Sequence, residues 1–129
     1  MSRVVHFEIH AEDPERAAAF YHSVFGWEIK KWEGPMDYWM VMTGKEGEMG
    51  INGGIVKRQG PAPEKMNPVS AYVCTIDVND LDAFWEKVTT SGGEEALPKM
   101  PIPGMGWLCY CKDTEGNIFG MMQNDVNAK

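Results

Sequence analysis

Asp13-Pro14-Glu15-Arg16-Ala17-Ala18-Ala19-Phe20-Tyr21-His22-Ser23-Val24-Phe25-Gly26 carries the strongest local signal in the chain. Asp13 is a good helix N-cap, because its carboxylate can accept from the unpaired amides of the first turn. Pro14 suits the first helical position, and Gly26 suits the left-handed residue just past the end. Between them Ala17, Phe20, Tyr21, Val24 and Phe25 recur at helical spacing, so one face is apolar. Upstream, Val4 to His10 alternates: Val5, Phe7 and Ile9 on one face, His6, Glu8 and His10 on the other. Downstream, strands are expected over 27–32, 38–43 and within 49–58, with a turn at Gly44-Lys45-Glu46-Gly47. The order is β, α, β, β, β.

The same order returns. Val69, Ala71 and Val73 alternate with Ser70, Tyr72 and Cys74. Asp77 offers a second N-cap, and Leu81, Phe84, Trp85 and Val88 make a helical stripe expected to be core. Gly92-Gly93 closes the helix, and strands follow near 94–98, 105–112 and 117–123, with a turn over 113–117. An offset of 64 pairs Val5 with Val69, Asp13 with Asp77, Phe20 with Phe84 and Val24 with Val88 without a gap. We read this as an internal repeat. A unit of about 60 residues is marginal alone, which favours two units burying their faces together. The modules are 3–58 and 68–124, joined by the Pro-rich linker 59–67 within one domain. Residues 99–106, with Pro101 and Pro103, read as a long connection, either a lid or a rigid span.

At 129 residues, with 43% hydrophobic and 24% charged residues, the chain has an ordinary globular composition. Twelve Lys and Arg against nineteen Asp and Glu give a net charge of -7. That balance argues against nucleic acid and anionic membrane surfaces as partners. No apolar run approaches the ~20 residues of a membrane span, and the first residues lack a signal-peptide pattern, so a cytoplasmic location is expected. Cys74, Cys109 and Cys111 lack metal-type spacing and read as small core hydrophobes.

The repeated βαβββ order, with His6-Phe7-Glu8-Ile9, Asp13-Pro14-Glu15-Arg16-Ala17, Phe20-Tyr21, Phe25-Gly26-Trp27 and Asp113-Thr114-Glu115-Gly116-Asn117-Ile118-Phe119-Gly120, resembles the vicinal oxygen chelate superfamily. That superfamily includes glyoxalase I, extradiol dioxygenases and bleomycin- and fosfomycin-resistance proteins. The resemblance covers nearly the whole chain. It implies an α+β fold: two βαβββ modules forming a curved, mostly antiparallel sheet around a cleft, helices outside. It also implies a homodimer. The scaffold hosts several reactions, so the resemblance does not choose one.

Members of the superfamily take metal ligands from the first and last strands of each module. By resemblance, His6 stands at the first-strand position. Its second-module counterpart falls among Ser70, Ala71 and Tyr72, with no His. The last-strand carboxylate maps onto Gly120, and Gly54 holds the matching place in the first module. A catalytic metal usually needs about three protein ligands. No metal and no cofactor are therefore expected.

The resulting expectation is a small-molecule binding protein of this superfamily. His6, Glu8, Ser70 and Tyr72 would form a polar floor, with His10 nearer the strand end. Trp39 and Trp107 are the expected aromatic walls, although alternation alone leaves open which parity of strands 38–43 and 105–112 faces the cleft. Gly53-Gly54 marks either a close ligand approach or a strand irregularity. The Glu8 carboxylate would repel a carboxylate ligand, which favours a neutral or cationic, largely apolar one. Two alternatives stand beside this reading. One is a lyase, isomerase or dioxygenase using a metal or His6 and Glu8 as acid and base. The other is an interaction or regulatory module with an occluded cleft.

Overall fold

A computed structural model describes residues 2–129. The chain divides between Ala62 and Pro63 into two units. The first contains β1 (Phe7–Ala11), α1 (Pro14–Phe25), β2 (Glu28–Lys31), β3 (Trp39–Met42) and β4 (Gly53–Lys57). The second contains β5 (Thr75–Asp77), α2 (Leu81–Thr90), β6 (Glu94–Ile102), β7 (Gly106–Lys112) and β8 (Ile118–Asn124). Each unit is thus a βαβββ module with its own four-stranded sheet, in the order β1-β4-β3-β2 and β5-β8-β7-β6. In each, the first strand runs parallel to the last and the other pairings are antiparallel.

Helix α1 is built by the caps its sequence announces. The Asp13 carboxylate accepts from the Arg16 amide at 3.2 Å, Pro14 opens the helix, and Gly26, at φ 73°, donates to the His22 carbonyl at 2.9 Å. Pro14, Ala17, Phe20, Tyr21 and Val24 are buried. Ala17 joins Ala11, Trp39, Val41 and Ile55 in the core, with Phe7, Ile9 and Ile29 packed against it. Tyr21 stacks on Trp27 with ring centroids 5.0 Å apart. The helix-facing side of this sheet therefore carries Phe7, Ile9, Trp39, Val41 and Ile55. By alternation, the opposite side carries His6, Glu8, His10, Tyr38, Met40 and Gly54.

The second unit corrects several expectations. Residues 68–74 form no strand, so Ser70 and Tyr72 lie in exposed, irregular chain. The first strand is the three-residue β5, and the N-cap is Asp80 rather than Asp77, its carboxylate accepting from the Ala83 amide at 3.2 Å. Asp80 stands 67 residues after Asp13. Likewise Thr75, paired with Gly120, stands 67 after Glu8, paired with Gly54. The repeat is real in the backbone, but its first strand and helix are offset by 67, not 64.

The three-residue difference rotates the α2 stripe. Leu81 and Val88 are its buried residues. Phe84 is only half-buried, under the Lys87 ammonium at 4.6 Å from its ring, and Trp85 is 37% exposed. Phe20 therefore corresponds to Lys87, not to Phe84. Cys109 and Cys111 are buried as expected, whereas Cys74 is exposed. The anticipated long connection shrinks to a turn over 103–105, because β6 runs through Pro98 and Pro101. Prolines are tolerated there because β6 is an edge strand, and its pairing shifts register twice, between Glu95 and Leu97 and between Leu97 and Met100.

Candidate functional site

The first unit gathers a set of side chains on the sheet face away from α1. Hairpin β2–β3 continues one step beyond its strands: the Trp32 amide donates to the Tyr38 carbonyl at 2.7 Å, which sets these two residues opposite each other. Lys30 pairs with Met40 next along the ladder. Trp32, Met36, Tyr38 and Met40 line an open recess of about 320 Å³. Its volume falls near the lower end of small-molecule sites, about 300–1,000 Å³.

Tyr38 also reaches back over the sheet. Its hydroxyl and His6 Nε2 share a 2.7 Å hydrogen bond, and the two rings stack with centroids 6.5 Å apart. The phenol lies over Gly54, where a Cβ would come within 2.0 Å of the Tyr38 oxygen. A side chain at 54 and this phenol thus compete for one space. Glu8 is the register partner of Gly54. Burial, and then the charge of the Glu8 carboxylate, hold the phenol above the ordinary tyrosine range, so it stays protonated.

The two tryptophans expected as walls lie on the other side of their sheets. Trp39 is 8% exposed in the α1 core and donates from Nε1 to the Glu15 carboxylate at 2.8 Å. Trp107 donates to the Asp125 carboxylate at 3.1 Å, under the Lys99 ammonium that also binds Asp82 of α2. Its parity matches Gln123, its register partner, whose Oε1 accepts from the first amide of α2 at 2.8 Å. Tyr72 is 100% exposed and, like Ser70, belongs to no strand. Of the expected set, the structure brings together His6 and Glu8. It adds Tyr38, Trp32, Met36 and Met40, which sequence reasoning missed as site residues. Every residue from Tyr38 to Met42 is apolar or aromatic, so alternation there carries no parity signal. The signal lay in β1, whose clean alternation passes to β3 only through the β4 register.

In the second unit the equivalent face carries Thr75 beside Gly120, and the Tyr110 ring lies 3.2 Å from where a Cβ at 120 would sit. Leu108 stands at the place of Tyr38. The residues do not fit the divalent metal that such a fold commonly holds. Gly54 and Gly120 offer no ligand atom, and the phenol over Gly54 engages the first-strand His6 nitrogen. Among the described residues no three His, Cys, Asp or Glu side chains group in a way that would hold a metal.

Similarity to known proteins agrees with this architecture. The bleomycin resistance protein-like N-terminal family matches residues 3–44. A putative glyoxylase, CFP32, of Mycobacterium bovis is 30% identical over 122 residues, covering 90% of this chain and 43% of its own length. This chain thus spans under half of that relative. A glyoxylase-like domain-containing protein of Didymella fabae is 33% identical over 112 residues, covering 85% of this chain and 84% of its own. Among solved structures, a variant of the fosfomycin resistance protein FosX from Listeria monocytogenes, complexed with manganese(II) and 1S,2S-dihydroxypropylphosphonic acid, superimposes with a TM-score of 0.72. It is 16% identical and covers 98% of this chain and 93% of its own. With a fungal relative matched along most of both chains, and two βαβββ units built on one plan, this chain belongs to the glyoxalase/bleomycin resistance/dioxygenase superfamily, the vicinal oxygen chelate proteins.

Proposed function

We propose that this protein binds a small, flat, largely apolar molecule in the recess of its first unit, and that it does so without a metal. The observation that carries the reading is the recess itself, with apolar walls from Trp32, Met36, Tyr38 and Met40. Aromatic and thioether walls supply non-directional contact that suits a flat apolar molecule. Glu8 beside the phenol disfavours a carboxylate ligand, and Lys30 stands one position farther along the face. With a carboxylate on one side and an ammonium on the other, a neutral ligand suits this arrangement. The binding of a small molecule by the FosX neighbour supports the general use of the fold.

Native mass spectrometry of freshly purified protein, followed by a library of aromatic compounds, tests the reading. One compound held per chain, lost in a Met40→Asp variant that remains folded, is the expected result. Absence of any bound compound would overturn it. Equilibrium dialysis against Mn(II) and Zn(II) tests the metal-free part, where one tightly held ion per chain, lost in His6→Ala, is the contrary outcome.

A second reading is favoured by the short Tyr38–His6 bond beside Glu8: acid–base chemistry on the bound molecule. It predicts a mass change in the released compound that Tyr38→Phe abolishes. We further propose that the chain forms a homodimer, since each sheet ends in edge strands that need cover. Sedimentation at micromolar concentration checks this.

A further inference from the structure

The tip of the β2–β3 hairpin deepens the ligand-binding reading, on which this inference rests. We propose that Gly34 is a positioning residue for the recess: having no side chain, it lets the Trp32 indole rest against the hairpin tip, and the indole held there makes the recess select planar aromatic molecules over saturated ones of similar size.

The neck of the hairpin is fixed by the Trp32 amide, which donates to the Tyr38 carbonyl at 2.7 Å, and by the Lys31 ammonium, 3.5 Å from the Asp37 carboxylate. Between them the chain bends over residues 34–36, where Pro35 restricts the backbone. A Cβ on Gly34 would fall onto the six-membered ring of the Trp32 indole, against Cη2, Cζ2 and Cε2, so no side chain fits between that backbone and the ring. Gly34 is not among the glycines at positive φ, so its backbone conformation does not call for a glycine. The ring does. Gly104, at the tip of the β6–β7 hairpin in the second unit, is the reverse case: its φ is 76° and nothing lies within 4 Å of where its Cβ would sit. One glycine serves its turn, the other an aromatic side chain. That side chain lines the recess with Met36, Tyr38 and Met40, and is 41% exposed. The placement of the indole and the shape of the recess are therefore one variable. An aromatic ring gains on an indole more than its buried area alone supplies, and the Met36 and Met40 thioethers add to the preference through sulfur–aromatic contact. A saturated ring gains only the area. The atoms that a methyl group at 34 would meet are the outer edge of a side chain, not backbone. Gly34→Ala is accordingly expected to turn the indole away rather than to unfold the hairpin.

The test uses two neutral probes of similar size, 2-ethylnaphthalene, which is planar and aromatic, and 2-ethyldecalin, which is saturated. Equilibrium dialysis against the full chain, with each probe quantified by gas chromatography, compares wild type, Trp32→Leu, Gly34→Ala and the double variant. Wild type is expected to prefer the naphthalene by about two- to tenfold, the range of one aromatic contact, and Trp32→Leu to abolish that preference. Gly34→Ala is expected to weaken the naphthalene by a similar factor, to leave the decalin within about twofold, and to keep the urea midpoint close to that of wild type. The double variant should lose no more than Trp32→Leu, because both changes remove the same contact. In 15N spectra the indole Nε1–H resonance that Trp32→Leu removes should shift in Gly34→Ala. A wild type without preference, a preference unchanged in Gly34→Ala, or equal losses for the two probes would overturn the assignment while leaving ligand binding intact. A wild type that binds neither probe overturns the ligand reading and this one together.

Discussion

The two units share a backbone plan and differ in almost every side chain that matters for function. Both begin with a strand parallel to the last strand, and both launch a helix from an aspartate whose carboxylate accepts from the third residue on. Both place a glycine in the first half of the last strand, opposite Glu8 in one unit and Thr75 in the other. Yet α1 buries five side chains and α2 only two. The first unit sets a phenol and an imidazole over its glycine, and the second a tyrosine ring and a threonine hydroxyl. The lesson is that caps and register, which are few and local, preserve the scaffold. The faces it presents are free to diverge, since neither helix nor ladder depends on them.

The largest effect that sharpens this contrast is in the cores. Phe20, 2% exposed, should cost about 3–5 kcal/mol when truncated to alanine. Trp85→Ala should cost under about 1 kcal/mol, and Phe84→Ala should fall between them. Urea denaturation monitored by circular dichroism measures all three. Equal costs for Phe20 and Phe84 would break the contrast between the helices and restore the shorter repeat offset.

The caps should behave alike where the cores do not. Asp13→Ala and Asp80→Ala are each expected to cost about 1 kcal/mol, as lost N-caps do. A cost at one and none at the other would show that the helices do not share their initiation.

Smallest of all is the contribution of Tyr38 at high pH. Its phenol titrates above the ordinary value of 10.0 in the folded chain, through burial and the Glu8 charge. The folded state therefore holds the proton more tightly than the unfolded one. The associated stability is fully present below about pH 10 and is lost as pH rises through the folded-state value. Comparing the alkaline stability of wild type with Tyr38→Phe should reveal a shallower decline in the variant. A steeper decline in the variant would contradict the environment described for the phenol. The buried Cys111 thiol, pushed far up by its hydrogen bond with Cys109 and by burial, should resist alkylation in the native state, while exposed Cys74 reacts. Modification followed by mass spectrometry separates the two.

Most of the architecture was legible because it rests on local rules. The first helix was bounded correctly by Asp13, Pro14 and Gly26, and the βαβββ order by alternation and turn residues. The second unit was misread at its start because Val69, Ala71 and Val73 alternate as a strand would while lying in irregular chain. Alternation is necessary for a half-buried strand, but pairing makes one, and the parallel partner β8 reaches only Thr75–Asp77. That misreading moved the N-cap by three residues, and three residues on a helix turn the stripe enough to expose Trp85.

The sequence alone determined the helix boundaries, the alternation of β1 and the repeated order of elements, because caps and periodicity act between neighbours in the chain. It also determined that His6 and Glu8 share a face, since that follows from strand geometry. Only the tertiary structure decided that Trp39 packs on α1 while Tyr38 and Met40 form the recess. In a strand apolar on both faces, the choice of buried face is made by the register with β4 and by the bond from Trp39 to Glu15, both set by residues distant in sequence. Only the tertiary structure, likewise, put the Tyr38 phenol over Gly54. A glycine in a strand announces that space is needed above it, but what fills that space comes from wherever the fold brings the chain back.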